Sequence, residues 1–160
     1  MNCINIYTDG SSRGNPGPGG LGVILEYKKN LKEISKGFKM TTNNRMELLA
    51  VIIGLEEIKK RELEVIVFSD SRYVVDAINK GWLLNWQKKN FKKKKNPDLW
   101  KRFLKIYKEF PKVKFVWIKG HAGHPQNERC DELAVLASES SDQLIDSYYE
   151  EIGKNLNTLF

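Results

Sequence analysis

The alternation of apolar and polar positions divides this chain into strands and helices. Residues 3–9 have the period of two that is typical of a strand, and Asp9 ends it. The run at 64–69 is almost continuously apolar, which indicates a strand buried on both faces. Further strands are predicted at 21–27, 31–40 and 113–118, and helices at about 45–60, 71–80, 97–110, 126–138 and, in the tail, 143–152.

This order of elements predicts an α/β fold. The first three strands are close enough in sequence to form antiparallel hairpins, whereas the strands separated by helices should pair in parallel. We therefore expect a five-stranded mixed sheet with helices on its faces, in three layers. One domain should cover residues 1–141, including a basic protrusion at about 82–96, and residues 142–160 should be a partly helical or disordered tail.

Composition narrows the class of protein. The chain is 41% hydrophobic, which is enough for a core, but its longest apolar run, residues 48–53, is too short to cross a membrane. Cys3 and Cys130 are far apart and are expected to be free thiols. With no leader visible at the N-terminus, we expect a cytoplasmic protein, most simply a monomer.

The net charge of +7 is concentrated in one quarter of the chain. Residues 80–119 contain 14 Lys and Arg against 2 Asp and Glu, whereas residues 120–160 contain 2 against 8. This asymmetry favours a polyanionic partner on one face, although lysines that merely keep the surface soluble are the simpler alternative.

Four carboxylates are candidates for a common site: Asp9, Glu47, Asp70 and Asp131. Each has a simpler structural explanation. Asp9 could open a turn, Glu47 could form a capping box with Asn44, Asp70 could cap the next helix, and Asp131 could be a solvated charge. However, Asp9 and Asp70 end strands that should share one sheet edge, and Glu47 lies on the apolar face of its helix. Clustered carboxylates repel each other and need cations, and oxygen ligands suit Mg²⁺. Two such ions would suit phosphoryl transfer.

Several motifs make the chain resemble type 1 ribonuclease H. They are Thr8-Asp9-Gly10-Ser11, Gly14-Asn15-Pro16-Gly17, Thr42-Asn43-Asn44-Arg45-Met46-Glu47, Ser69-Asp70-Ser71, Gly120-His121-Ala122-Gly123-His124 and Asn127-Glu128-Arg129-Cys130-Asp131. The resemblance implies the ribonuclease H-like fold and an endonuclease that cuts the RNA strand of an RNA–DNA hybrid, leaving 5′-phosphate and 3′-hydroxyl ends. It implies that the four carboxylates hold two Mg²⁺ or Mn²⁺ ions, and that His121 assists proton transfer or product release from a mobile loop.

The resemblance also implies two sets of hybrid contacts. Short polar groups suit RNA, since they can bond the 2′-hydroxyl that DNA lacks; the RNA-strand set is Ser11, Ser12, Asn15, Asn43, Asn44 and Arg72. A phosphate pocket and the basic protrusion would bind the DNA strand, through Thr42, Arg45, Trp82, Trp86, Lys88, Lys89, Phe91, Lys92, Lys93, Lys94, Lys95 and Asn96.

Some of these residues have structural alternatives. Turn and cap chemistry would explain the asparagines, including Asn96, and core packing would explain the two tryptophans. Arg72 stands where the family commonly has a neutral amide, and its charge would either tighten RNA binding or pair with Asp76. We assign His124 to structure, as a cap of the last helix.

Two other functions fit part of the sequence. One is a DNA-directed nuclease of the same superfamily, against which the asparagines and the His121 loop argue. The other is a non-catalytic nucleic-acid-binding module, which the basic segment alone would satisfy. Four carboxylates beside an anionic ligand would then be counterproductive.

Overall fold

The structure is a computed structural model that describes residues 2–159, with side chains as far as residue 154. The strands are β1 (Cys3–Ser12), β2 (Gly17–Tyr27), β3 (Asn30–Thr41), β4 (Glu64–Ser69) and β5 (Val113–Trp117). The helices are α1 (Asn43–Glu57), α2 (Arg72–Asn79), α3 (Trp82–Lys88), α4 (Pro97–Tyr107), α5 (Pro125–Glu139) and α6 (Ser147–Leu159).

The five strands form one mixed sheet in the order β3-β2-β1-β4-β5, as the sequence predicted. The β1–β2 and β2–β3 pairs are antiparallel, whereas β1–β4 and β4–β5 are parallel. Strands β1, β4 and β5 therefore run in the same direction, and their carboxyl ends lie at the same edge of the sheet.

Helices cover both faces of the sheet. Ile6 packs in the main core with α1 residues such as Ile52, whereas Tyr7 packs with Cys130 and Leu133 of α5. Successive side chains of a strand point to opposite faces, so α1 and α5 lie on opposite sides of β1. This three-layer arrangement confirms the predicted fold class. Within the described residues, no helix combines the length and apolar character that a membrane span requires.

The boundaries of several elements differ from the sequence prediction. The glycine-rich segment is a shorter loop than expected, because β1 continues to Ser12 and β2 starts at Gly17. Helix α1 ends at Glu57 instead of residue 60. Arg61 closes it from outside the helix, donating to the carbonyls of Ile58 and Glu56 at 2.9 and 3.3 Å.

The segment after residue 141 packs on the domain. Leu144 forms a bridge with Phe38 of β3, and Asp146 is buried. The tail helix α6 starts at Ser147, four residues later than the sequence suggested.

Candidate active site

Three of the four candidate carboxylates meet at the edge of the sheet. Asp9, Glu47 and Asp70 each offer an oxygen, and these oxygens lie within 4.8 Å of one another. Asp9 is in β1, Asp70 directly follows β4, and Glu47 is in the first turns of α1. At this separation two full charges repel by about 3 kcal/mol at an effective dielectric of 20. The protonation state of each carboxylate therefore depends on the charges of the other two.

A close contact between β1 and α1 brings Glu47 to this edge. A Cβ atom on Gly10 would lie only 2.4 Å from the backbone nitrogen of Glu47 and 2.4 Å from the carbonyl carbon of Met46. Only glycine allows this approach. The helix is capped by Thr42, whose side chain accepts from the N–H of Arg45 at 3.2 Å, so Glu47 is not engaged in the capping box that was its structural alternative.

Burial and mutual repulsion favour protonated carboxyls in this cluster. Burial, followed by the charge of Asp70, raises the pKa of Asp9 to about 7, although bonds from Glu47 and the Gly10 N–H oppose the rise. Burial and the charges of Asp9 and Asp70 raise the pKa of Glu47 well above its ordinary value. The pKa of Asp70 is also raised, mainly by burial.

The cluster has the donor set of a divalent-cation site. Glu47 is 5% exposed, and its Oε2 atom is buried without a hydrogen-bond partner among the described residues. An unpartnered buried carboxylate oxygen is costly unless something positive faces it. Hard oxygen ligands fit Mg²⁺ or Mn²⁺.

The fourth carboxylate, Asp131, lies at the margin of the cluster. It is half-buried on α5, and its charge raises the pKa of both Asp9 and Asp70. A Cβ atom on Gly22, the partner of Asp9 in β2, would lie 2.3 Å from the carbonyl oxygen of Cys130, so α5 lies directly on the sheet one residue before Asp131. Asp131 does not join the 4.8 Å group itself.

The predicted histidine loop passes over Asp70. A Cβ atom on Gly120 would lie 2.7 Å from Oδ2 of Asp70, and the charge of the exposed His121 partly offsets the raised pKa of Asp70. His121 adopts a positive φ of 55°, and Gly123, two residues later, adopts a φ of 82°. His124 is the N-cap residue of α5, as expected, although its side chain makes no capping bond.

The predicted RNA-strand residues lie together at the loop between β1 and β2 and at the start of α1. Asn15, Asn43 and Asn44 are exposed, while Ser11 and Ser12 are half-buried in β1. The side-chain oxygen of Asn15 accepts from the backbone N–H of Asn43 at 3.1 Å, which fixes one loop against the other. Their amides remain available to a ligand.

The basic protrusion presents its lysines to solvent but not all of its aromatic rings. Lys88, Lys89 and Lys92–Lys95 are exposed, and Trp82 is 44% exposed. Trp86 is half-buried and packs edge-on against Trp100 at 5.7 Å. Phe91 is only 7% exposed and belongs to the core, so its assignment to DNA contact is wrong. It anchors the lysine segment instead.

Arg45 also differs from its predicted role. Its guanidinium is 2% exposed and uses all five N–H donors within the protein, on Asp98, Asp146 and Asn96. These bonds outweigh the effect of burial and raise the pKa of Arg45. Because no donor is left, Arg45 is not a phosphate ligand in this arrangement and serves to join α1, α4 and the tail.

The members of the predicted phosphate pocket, Arg45 included, do line one cavity. It has a volume of about 520 Å³, and its walls include Thr42, Asn96, Lys94, Lys95 and Tyr149. Asn96 occupies the N-cap position of α4, but its side chain makes no capping bond. Its amide donates to the hydroxyl of Tyr73 at 3.0 Å, and its side-chain oxygen accepts from Arg45 at 3.2 Å.

Arg72 and Trp117 form a pair beside Asp70 that the sequence did not suggest. The guanidinium carbon of Arg72 lies 3.8 Å from the ring centroid of Trp117. Asp76, the alternative partner of Arg72, pairs instead with Lys80, whose Nζ lies 3.7 Å from its Oδ2. Sequence offers one weak signal for Trp117, its place at the end of a strand parallel to the one before Asp70.

The sheet order and the carboxylates at its edge define an α/β enzyme of the ribonuclease H-like class. The model of the RNase H family matches residues 1–139. The chain belongs to the RNase H family and is an RNase H, a nuclease among the hydrolases.

Curated relatives and solved structures are similar over most of the chain. It is 54% identical over 148 residues to a Ribonuclease H of Desulforamulus reducens, covering 89% of this chain and 92% of that protein. It is 57% identical over 139 residues to a Ribonuclease HI of Helicobacter pylori, covering 87% and 95%. The crystal structure of LC9-RNase H1 is 34% identical with a TM-score of 0.78, covering 94% of this chain and 80% of that one. LC11-RNase H1, solved in complex with an RNA/DNA hybrid, is 34% identical with a TM-score of 0.65, covering 85% and 96%.

Proposed function

We propose that this enzyme hydrolyses the RNA strand of RNA–DNA hybrids, leaving 5′-phosphate and 3′-hydroxyl ends. The observation that carries the proposal is the Asp9, Glu47 and Asp70 cluster, with oxygens within 4.8 Å of one another and one buried oxygen of Glu47 unpartnered. These carboxylates would bind cations, and without bound cations their negative charge would repel an anionic substrate.

Asp9, Glu47 and Asp70, with Asp131 at the margin, would hold two Mg²⁺ ions when substrate is bound, and Mn²⁺ would fit the same ligands. A bound pair of such ions supplies a water nucleophile and stabilises the leaving oxygen. The protein contributes the fixed positions of the carboxylates, set by the contact of Gly10 with α1. Burial and mutual repulsion favour protonated carboxyls at this site. A bound cation would replace those protons as the positive charge beside the carboxylates.

The exposed amides support selection of RNA on one side of the site. Asn15, Asn43 and Asn44 would bond 2′-hydroxyls, which lie in the wide minor groove of an A-like duplex. Thr42 and Asn96 line a cavity of about 520 Å³ that would take a phosphate of the DNA strand. The lysines of residues 88–95, with Trp82, would follow that strand further.

His121 would move a proton near the scissile phosphate or help the product to leave. It is exposed on the loop that passes over Asp70, at a distance that lets its charge act on that carboxyl. Imidazole exchanges protons near neutral pH, and the neighbouring glycines allow the loop to move.

One assay tests the proposal. End-labelled RNA–DNA hybrid, duplex DNA and duplex RNA are each incubated with and without Mg²⁺, and the product ends are analysed. We expect cleavage of only the RNA strand of the hybrid, dependent on the ion and lost in Asp70→Asn. Cleavage of duplex DNA would favour the DNA-directed nuclease, and binding without cleavage would favour a binding module.

A further inference from the structure

We infer that Trp117 positions two groups of the active site at once: the main chain of Asp70 through its indole N–H, and the guanidinium of Arg72 through its ring face. Arg72 then binds a phosphate of the strand that is cut. This inference rests on the proposed function; it adds Trp117 as a positioning residue and specifies a backbone phosphate as the RNA-strand contact of Arg72.

The first contact continues the β4–β5 ladder by one bond. Trp117 is the register partner of Ser69, and the backbone N–H of Ile118 donates to the Ser69 carbonyl at 2.9 Å. The next carbonyl, that of Asp70, lies beyond the last strand residue of β4. The indole Nε1 of Trp117 donates to it at 3.0 Å. A side chain therefore fixes the backbone that carries a cluster carboxylate.

The second contact holds Arg72 flat against the same ring. The guanidinium carbon lies 3.8 Å from the Trp117 centroid, close enough for both stacking and cation–π attraction. Among the eight cation–ring pairs of the described side chains, two of which involve Arg45, the other seven distances are between 5.1 and 6.0 Å. The stack limits the rotamers of an exposed side chain, so less entropy is lost when it binds a ligand.

The charge of Arg72 is not neutralised by the protein. Within residues 2–154, no carboxylate oxygen lies within 4.0 Å of its guanidinium, whereas Arg45, Arg61, Arg102 and Arg129 all form ion pairs. Stacking occupies the face of the guanidinium and leaves its N–H edges free. Those edges match the geometry of a phosphate. Since Arg72 lies two residues after Asp70, the phosphate within its reach belongs to the strand that the carboxylates engage.

The two contacts can be separated by substitution. Arg72→Gln removes the cation and leaves the indole bond to Asp70. Replacing Trp117 with Phe keeps an aromatic face under Arg72 but removes the N–H donor. Replacing Trp117 with 3-benzothienylalanine does the same with the shape of tryptophan preserved, and it serves if the phenylalanine variant does not fold. Arg102→Gln is the matched control, because Arg102 is already paired with Glu56 on α1.

For Arg72→Gln we expect the KM for hybrid to rise about fivefold with kcat unchanged, and the slope of log KM against log salt to fall by about one unit. Arg72→Lys should recover only part of the affinity, since it lacks the bidentate edge. Arg102→Gln should change neither quantity. An unchanged KM and salt slope in Arg72→Gln would overturn the phosphate contact.

For the Trp117 variants the readout is Mg²⁺ binding without nucleic acid, by titration calorimetry. We expect the Kd for Mg²⁺ to rise at least threefold, with the KM for hybrid at saturating Mg²⁺ within twofold of the wild type. Equal Mg²⁺ affinity in a folded variant would overturn the positioning role. If the wild type does not cleave hybrid at all, the proposed function fails instead, so the two failures are distinguishable.

Discussion

Arg45 and Asp146, which are 101 positions apart in sequence, are joined by two hydrogen bonds of 2.7 and 2.9 Å in the interior of the protein. The hydroxyl of Thr41 donates to the same carboxylate at 2.8 Å. Asp146 lies outside the residues that match the family model, yet it completes the partners of a buried guanidinium on α1. The tail is thus bonded to the helix that carries Glu47.

Asp146→Ala should therefore destabilise the whole domain. It leaves a buried guanidinium with one carboxylate partner instead of two, which should lower the free energy of unfolding by roughly 3 kcal/mol. Urea denaturation measures the change. The control is Glu139→Ala, which breaks an exposed pair with Arg13 and should cost less than about 1 kcal/mol. Equal losses in the two variants would contradict the structural role of the buried pair.

Asp9→Asn should abolish cleavage and stabilise the metal-free protein in a pH-dependent way. The pKa of Asp9 is raised from 3.8 to about 7 in the folded state, so the folded protein binds this proton more tightly than the unfolded chain does. The stability that the proton contributes is fully present below pH 3.8 and is lost as the pH rises through about 7. The variant keeps a neutral side chain throughout. Its advantage over the wild type should be small near pH 4 and reach at most roughly 4 kcal/mol above pH 7.

Urea denaturation in EDTA at pH 4.5 and 7.5 measures this difference. Added Mg²⁺ should reduce the advantage of Asp9→Asn, because the ion stabilises only the wild-type site. An Asp9→Asn protein that is less stable than the wild type at pH 7.5 without metal would show that the carboxylates do not repel each other as the geometry indicates.

Gly10→Ala should impair catalysis by separating β1 from α1. The new methyl group would meet the main chain of Glu47 and Met46 at 2.4 Å, and backbone atoms cannot move aside cheaply. We expect a loss of kcat of at least tenfold and a destabilisation of about 2 kcal/mol. Gly153→Ala is the control, since a Cβ there meets nothing within 4 Å and alanine favours the α6 helix. Wild-type kcat in Gly10→Ala would refute the close contact.

Alanine at Lys92, Lys93, Lys94 and Lys95 should weaken hybrid binding while the rate at saturating substrate is largely kept. All four side chains are exposed on the protrusion, and none belongs to the carboxylate cluster. Their removal should lower the salt slope of binding by up to four units. The matched control removes Lys28, Lys29, Lys59 and Lys60, which carry the same charge. The first two directly follow Tyr27, the register partner of Ile4 near the start of β1, and the last two line a cavity with Ile4. Similar losses of affinity in both variants would indicate net charge rather than local contact.

The order of elements and the chemistry of the site could be predicted from the sequence. Period-two and period-3.6 patterns are set by local burial, and they identified the five strands and the α/β class. Asp9 and Asp70 could be placed because carboxyl ends of neighbouring parallel strands must share an edge. Glu47 followed from its position on the apolar face of a helix, and the glycine and asparagine motifs supplied the family.

Tertiary structure alone decided which side chains are free to meet a ligand. Phe91 and Arg45 are residue types that are expected at a nucleic-acid surface. However, Phe91 packs in the core, and the guanidinium of Arg45 donates its hydrogen bonds within the protein, to Asp98 and Asp146 among others. Arg72 and Trp117 are 45 positions apart and lack any shared motif, but adjacent strand ends bring them into contact. Local sequence specifies an element and its faces, whereas the partners of a long polar side chain depend on distant segments that only folding brings within 3 Å.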